Sequence, residues 1–582
     1  MIRSIFVTTL VALSSALFAA QPAEHASGKD AVYIEGTSLA DSLPVLKKIV
    51  SRFAGEGLWS MLAATAEQEI GFNPLDLNAL EKNGFDTKSS WGISVEVDTN
   101  MTPSTAKSPS WAILIPVGNS SNAYAFLKTI LMPKPEEAPP VSENPEEKPA
   151  PSPVKETEPG NVLSLGYENN PAFVVRGSNF IVWSNNLEKA KSSLKKQSPS
   201  VGEQTYYREM RKYLTEYNDN KLPFVAFYMN PSALSGMVKM QTAFLQGLQS
   251  GLQPPVESID GAELPPAANA PIIDENSPYM KELTESIRAA GGSFIVTSDK
   301  VGFHFAYKYA PGYLSDMTKV YPRMMNVKTT ALSADLLAKT PIAYLMFKFN
   351  LMEILNMLKS ITPEFNKQYS GMIADGQQAL GMNVEEKLFA SLRGNHTLYL
   401  ANIPSEDKLK KYDAWEGAYS FGIKNGTAQN WLNALKAAEK IAKNSEKSKS
   451  KKTTFKYETT PEGKIAIVTN PNGFDKKQKP QPIVFFFGEN EIVISNSKAN
   501  ALNALKKGSV NLSNRLLKLN YDSTTGIFYI NLDQIAKSMM KGASAALLKP
   551  YKAMLDQLSH FSVYSNINGD FAASETVLQL KK

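Results

Sequence analysis

The chain of 582 residues contains no cysteine. That excludes a disulfide scaffold, a thiol nucleophile, a thiolate metal site and a lipid-modified N-terminal cysteine. Histidine is almost as scarce, with four residues: His25, His304, His396 and His560. His304 sits in VGFHFAYKY and reads as a strand residue facing solvent or a hydrogen bond. His396 falls in the turn Gly394-Asn395-His396, His560 starts the last hairpin and His25 lies in a flexible mature terminus. Each stands alone in sequence, and a metal site needs several ligands. No Gly-x-x-x-x-Gly-Lys-Ser/Thr phosphate loop, His-Glu-x-x-His helix or Gly-x-Ser-x-Gly elbow occurs, nor an Asp-x-Asp-x-Asp-Gly calcium loop. Glu136-Glu137 and Glu385-Glu386 fall in linker or at a helix start, where solvation accounts for them. No catalytic residue, metal ligand or cofactor site is therefore expected. A net charge of +6 leaves no electrostatic footprint for nucleic acid.

What is present begins with an address. Arg3 precedes the uncharged run Ile5 to Ala20, IFVTTLVALSSALFAA, which ends in small residues before Gln21 and Pro22. A basic start, a short apolar core and a small-residue exit describe a secretory signal peptide over 1–20, with cleavage expected after Ala19 or Ala20. An uncleaved anchor is the alternative, since Leu17 or Phe18 stands at the −3 position. No later run of 18 apolar residues exists, so no integral membrane segment is expected after cleavage. The expected location is exported, periplasmic or extracellular, in a bacterium.

An internal repeat organises the remainder. Residues 171–196 (PAFVVRGSNFIVWSNNLEKAKSSLKK) and 482–507 (PIVFFFGENEIVISNSKANALNALKK) align without a gap, with 11 of 26 positions identical. Ordinary composition would give about one or two matches. Gly177-Ser178-Asn179 and Gly488-Glu489-Asn490 read as turns between apolar runs. Ser184-Asn185 and Ser495-Asn496 read as caps of a following helix. Period-two alternation puts Val174, Phe180 and Val182 on one face, with Phe485, Glu491 and Val493 as counterparts.

The flanks repeat more loosely. WAILIPV (111–117) and AYSFGI (418–423) read as strands followed by helices. GFNPLDLNALEKNGF (71–85) and GMNVEEKLFASLRG (381–394) each lead into a strand. VAFYMNPSALSGMVKM (225–240) matches GIFYINLDQIAKSMMK (526–541), and strands near 293–309 and 561–580 close each half. Mixed strands and helices with hairpins predict an α+β fold of two tandem duplicated domains, each an antiparallel sheet with packed helices. The first spans 21–315 and the second 325–582. Residues 133–160, with nine prolines and seven glutamates, read as a disordered insert, and 253–278 as a loop of the same kind. The second half carries a basic insert at 440–456, read as a solvated loop.

Two features invite a functional reading. Methionines lie on the amphipathic segments 232–252 and 532–548 among small residues, as an adaptable apolar groove requires. The candidate lining is Met237, Met240, Phe244, Met539, Met540 and Leu547. Close helix–sheet packing explains the same residues. Tyr206, Tyr207, Tyr213 and Tyr217, in YYREMRKYLTEY, would suit stacking on bases or sugars, or one face of a solvated amphipathic helix.

The order of the signal peptide, "GFNPLDLNALEKNGFD…WGISVEV", "GSNFIVWSN" and "FVAFYMNPSAL", repeated to the C-terminus, resembles secreted bacterial proteins classed as domains of unknown function with two similar halves. The resemblance implies an exported, non-catalytic protein and brings no catalytic residues. The leading expectation is thus an envelope or secreted protein acting by binding, as an interaction module or scaffold. Its partner is an unknown protein or an apolar ligand, and nucleic acid is not expected. The alternatives are a periplasmic carrier or sensor for an apolar ligand such as lipid, and a hydrolase using dispersed carboxylates.

Overall fold

The computed structural model describes residues 21–97, 109–132, 154–167, 170–231, 278–325, 341–361, 363–402, 416–445, 453–470, 481–505, 524–540 and 545–581. The proposed signal peptide lies outside them, as do 133–153 of the first insert and 253–277 of the loop. The chain divides into two units, Met1–Ala243 with Arg288–Lys308, and Phe244–Ile287 with Tyr309–Lys582.

In the first unit the described strands are β1 (Val32–Gly36), β2 (Trp91–Glu96), β3 (Ser110–Pro116), β4 (Lys155–Glu158), β5 (Val162–Tyr167), β6 (Asn170–Arg176), β7 (Phe180–Ser184), β8 (Val225–Met229), β9 (Ile287–Val296) and β10 (Lys300–Tyr309). They pair in the order β4-β5-β6-β7-β3-β2-β1-β8-β9-β10. Helices cover both faces. One face of the sheet gives Ile113, Ile115, Leu163, Val174 and Ile181 to a core closed by Leu39 and Leu43, Leu80, and Tyr124 and Leu127. These come from helices Leu39–Ala54, Leu77–Lys82 and Ser120–Leu131. Each helix starts where a side-chain oxygen accepts an otherwise orphaned backbone N–H: Ser38 from Asp41, Asp76 from Asn78, Asn119 from Asn122. The opposite face buries Ala112, Leu114, Val162, Val175, Phe180 and Val182 beneath Ala190 of helix Leu187–Ser192.

In the second unit the strands are β11 (Ala343–Lys348), β12 (Leu392–Asn402), β13 (Glu416–Ile423), β14 (Thr454–Thr460), β15 (Gly463–Asn470), β16 (Gln481–Phe487), β17 (Glu491–Ser495), β18 (Thr524–Ile530), β19 (Leu558–Asn568) and β20 (Phe571–Leu580). Their order is β14-β15-β16-β17-β13-β12-β11-β18-β19-β20, all antiparallel. Strand for strand, this is the order of the first unit. The registers agree as well. Tyr33 faces Ser94, Ser94 faces Ala112 and Ala112 faces Ser184. Tyr344 faces Tyr399, Tyr399 faces Ala418 and Ala418 faces Ser495. In the other direction Tyr33–Tyr228–Gly291 matches Tyr344–Tyr529–Ser562.

The repeated segments form a hairpin and a helix in both units, β6–β7 with Leu187–Ser192 and β16–β17 with Lys498–Leu505. Several shared residues have the same task. Ser184 Oγ donates to the carbonyl of Trp111, and Ser495 Oγ donates to the equivalent carbonyl of Gly417 at 2.7 Å. The N–H groups of Gly177 and Gly488 bond the carbonyls of Phe180 and Glu491. A Cβ at Gly177 would lie 2.5 Å from the end of the Leu194 side chain, which would have to turn aside.

Four expectations need correction. Val174 does not share a face with Phe180 and Val182, because its neighbour Val175 is the one that pairs with Val182. Likewise Val484 and Phe486, not Phe485, pack with Val493. The runs are apolar on both faces, so alternation carries no parity. The cap is Asn186 in the first unit, accepting from Lys189 N at 3.1 Å, and Ser497 in the second, accepting from Asn500 N at 3.1 Å. Ser184 and Asn185 are occupied across the sheet instead, Asn185 Oδ1 accepting from Trp111 N at 2.9 Å. The insert read as disordered through 160 ends in β4, where Glu156 accepts from Lys128 Nζ at 2.5 Å and from Gly160 N at 2.7 Å. The basic insert is bounded by helix Ala428–Ser445 and by β14, which take up both its ends.

The two sheets differ where one buries a charge. Glu35 of β1 is buried and receives a two-pronged ion pair from Arg211, Nε at 3.0 Å and Nη2 at 3.1 Å, with the Tyr207 hydroxyl donating at 3.1 Å. Arg211 and Tyr207 belong to helix Thr205–Tyr217. The matching residue of β11 is Met346, also buried. Removing Arg211 alone strands a carboxylate, so Arg211→Ala should cost about 3 kcal/mol. The double change Glu35→Met with Arg211→Leu should recover most of that loss. Urea unfolding of the parent and the two variants reads both values, and equal losses in the single and double variants would disprove the account.

Candidate functional site

Three of the six residues proposed from sequence as an apolar groove fall among the described residues. Met237, Met240 and Phe244 lie outside the described residues. Met539 ends helix Leu532–Met539 and is 45% exposed, Met540 follows it half-buried, and Leu547 is 78% exposed. In the second unit, then, Met539 and Leu547 look into water. The tyrosine helix also departs from a stacking platform. Tyr206 and Tyr207 are buried, and Met210 fills the space over Gly291, where a Cβ would lie 2.7 Å away.

That helix covers an unusual polar cluster. Tyr33, Tyr207 and Tyr228 are buried with Glu35, their rings 4.7–6.2 Å apart. Burial, and then the carboxylate beside them, pushes all three phenols well above their ordinary range. The Glu35 carboxylate is saturated by Arg211 and Tyr207, with Tyr228 at 3.4 Å. Such an arrangement fastens a helix to a sheet and leaves no lone pair aimed at a substrate.

The histidines are buried rather than exposed. His25, expected in a flexible terminus, lies in helix Pro22–His25, its Nδ1 3.2 Å from Ser193 O and its ring edge-on to Phe180. His396 is in β12, not a turn, stacked on Phe349 at 4.7 Å with Nδ1 2.7 Å from the Tyr419 hydroxyl. His304 faces neither solvent nor a hydrogen bond: its ring stacks on Tyr217 at 3.9 Å, and both nitrogens are buried without partners among the described residues. Burial, then Lys300, holds it down at about 4. Glu385 pairs with Lys359 at 2.8 Å, and Glu386 with Lys387 at 2.9 Å. No group of three His, Cys, Asp or Glu side chains placed to hold a metal occurs among the described residues. No described helix is long and apolar enough to cross a membrane.

On the face opposite His304, the last three strands of the first unit carry an aromatic surface. Phe227 of β8 stacks with Phe303 at 6.0 Å and with Phe305 at 5.9 Å on β10. Phe294 of β9 meets Phe303 at 4.9 Å, and Phe305 meets Tyr307 at 4.8 Å. Phe294 is 46% exposed and the others are half-buried. Gly292 admits the arrangement, since a Cβ there would lie 2.6 Å from the Phe227 ring. The signal for this surface was in the sequence. Phe303, Phe305 and Tyr307 alternate with His304 and Ala306, and only the neighbouring strands decide which set meets water.

No family model and no curated protein matches the chain. Three solved structures, crystal forms I, IV and III of TP0453, are similar at 10% identity. They cover 50%, 50% and 44% of this chain and 80%, 81% and 81% of theirs, with TM-scores of 0.23, 0.23 and 0.22. A likeness that slight carries no weight for function.

His304 and Glu575 occupy corresponding places, each four residues past the turn residues Lys300 and Phe571. Burial pushes the Glu575 carboxyl up to about 8. The signs oppose. Below 6.5 an unfolded chain protonates His304 while the folded one resists until about 4, so stability is complete above 6.5 and falls on acidification, by about 3 kcal/mol at most. Glu575 stays protonated in the fold, so its stability is complete below 4.5 and is lost as pH rises through 8. His304→Phe should flatten the acid limb and Glu575→Gln the alkaline limb of a stability–pH profile measured by urea unfolding. A variant that moves neither limb would refute its assignment.

Proposed function

We propose that this is an exported bacterial protein, periplasmic or extracellular, that performs no catalysis and acts by binding. The observation supporting this is the aromatic surface of Phe227, Phe294, Phe303, Phe305 and Tyr307. Aromatic side chains supply large contact areas with little loss of conformational freedom, and a contiguous set that stays partly open to solvent, Phe294 most of all, fits an interaction surface. The engagement of Glu35 by Arg211 and Tyr207, and the single lysine contact of each of Glu385 and Glu386, fit a role without general acid–base work. The basic start and small-residue exit of residues 1–20 support export.

The apolar patch recruits either a protein face or an apolar ligand such as lipid. Phe294→Ser with Phe303→Ser should abolish most of the fluorescence enhancement of 1-anilinonaphthalene-8-sulfonate while shifting the thermal midpoint by only a few degrees, about 1 kcal/mol or less. Native mass spectrometry of the parent then separates the two occupants, a co-purifying lipid marking a carrier. Undiminished probe binding in the double variant would remove the surface from consideration.

A further inference from the structure

The mild overall charge hides two halves of opposite sign. Residues 309–582 carry 36 Lys and Arg against 23 Asp and Glu, a net +13, whereas residues 1–308 carry 26 against 33, a net −7. Within the basic half, between β18 and β19, the helical turns Ala545–Leu548, Lys549–Tyr551 and Lys552–Leu555 follow one another without a break. Three of their large apolar residues are exposed, while Leu548 and Leu555 are half-buried. Leu547 is 78% exposed, Tyr551 57% and Met554 37%. At i, i+4 and i+7 the three lie along one side of a helical segment. Met539, on the helix before it, is exposed too.

Lysines frame this stripe. Lys549 and Lys552 lie within it and are exposed. Lys537 pairs with Asp533 at 2.7 Å, Lys581 pairs with Asp533 at 2.5 Å, and Lys552 pairs with Asp556. Four lysines therefore stand against two aspartates. A narrow apolar ridge flanked by cations is the pattern of a segment that lies in the interface of a bilayer, with its apolar side among acyl chains and its lysines among phosphates. An acidic protein would satisfy the lysines but would leave so narrow and protruding a ridge poorly buried.

We propose that the segment 545–555 docks the second unit on an anionic lipid surface, reversibly and without spanning it. This site is separate from the aromatic surface of the first unit. The test is sedimentation of a chain beginning at Gln21, so that the apolar leader supplies no binding, with phosphatidylcholine vesicles containing phosphatidylglycerol. Binding should weaken about tenfold or more on raising salt, on omitting phosphatidylglycerol, and in Leu547→Glu with Tyr551→Glu. Lys549→Glu with Lys552→Glu should act in the same direction, and circular dichroism should match the parent, because all four positions are exposed. All four substituted positions lie in the second unit, which keeps failure of this site distinct from failure of the aromatic surface. No sedimentation of the parent, or sedimentation of both glutamate double variants equal to the parent's with parental dichroism, would overturn the proposal. Capture of an acidic protein in place of vesicles would overturn it as well.

Discussion

Register is the constraint on which both units depend. A strand that slips by one residue presents its whole inward set outward. In these sheets the central strands are apolar on both sides, so a slip would not expose a polar row and alternation alone would not resist it. Other devices must hold the pairing. The hydroxyls of Ser184 and Ser495 do so at the end of β7 and β17, each bonding the carbonyl beside its register partner on the neighbouring strand. The turns at Gly177 and Gly488 fix the hairpin from its other end. Two points of attachment on a five-residue strand leave no alternative register with both satisfied.

That constraint explains which positions of the repeat are identical. Gly177/Gly488 and Ser184/Ser495 are register devices, and Leu194/Leu505 retains the leucine that, in the first unit, packs over the glycine. Between them Asn179/Asn490, Ile181/Ile492 and Val182/Val493 are identical as well, while Phe180 gives way to Glu491 and Trp183 to Ile494. The hairpin, the helix after it and the α+β class were therefore legible from sequence. The face of Val174 was not, because a run such as FVV carries no period when both sides are buried. The helix cap was missed by one or two residues for a related reason. Ser, Asn and Asn stand in succession at 184–186, and only the neighbouring strand determines which of them is free to cap. His25 was misplaced because burial of a short N-terminal segment is a tertiary event without local signature. The aromatic surface was half legible. Its period-two pattern on β10 is plain, but the side facing water depends on helix Thr205–Tyr217 covering the other one.

The two units share strand order and register, and they differ at places the scaffold does not dictate. Tyr33 and Tyr228 recur as Tyr344 and Tyr529, yet Glu35 becomes Met346 and Ala226 becomes Ile527. A buried ion pair is no more stable than a well-packed apolar contact and is often less so. Its presence in one copy alone is therefore a matter of specification: the two prongs of Arg211 and the hydroxyl of Tyr207 select one rotation of helix Thr205–Tyr217 on the sheet. The methionine in the other copy sets no such orientation.

The same division extends to charge. At corresponding places on the last strand of each unit, burial favours the neutral form by opposite shifts, down for His304 and up for Glu575. The net charge of the halves is opposite too, one acidic and the other strongly basic. Surface charge of this size changes what a domain approaches and how fast, while the fold beneath is indifferent to it. Two units of the same strand order can then differ in surface charge without differing in architecture. The exposed chemistry divides in just this way: aromatic rings on a sheet face of the first unit, and an apolar ridge among lysines on the second.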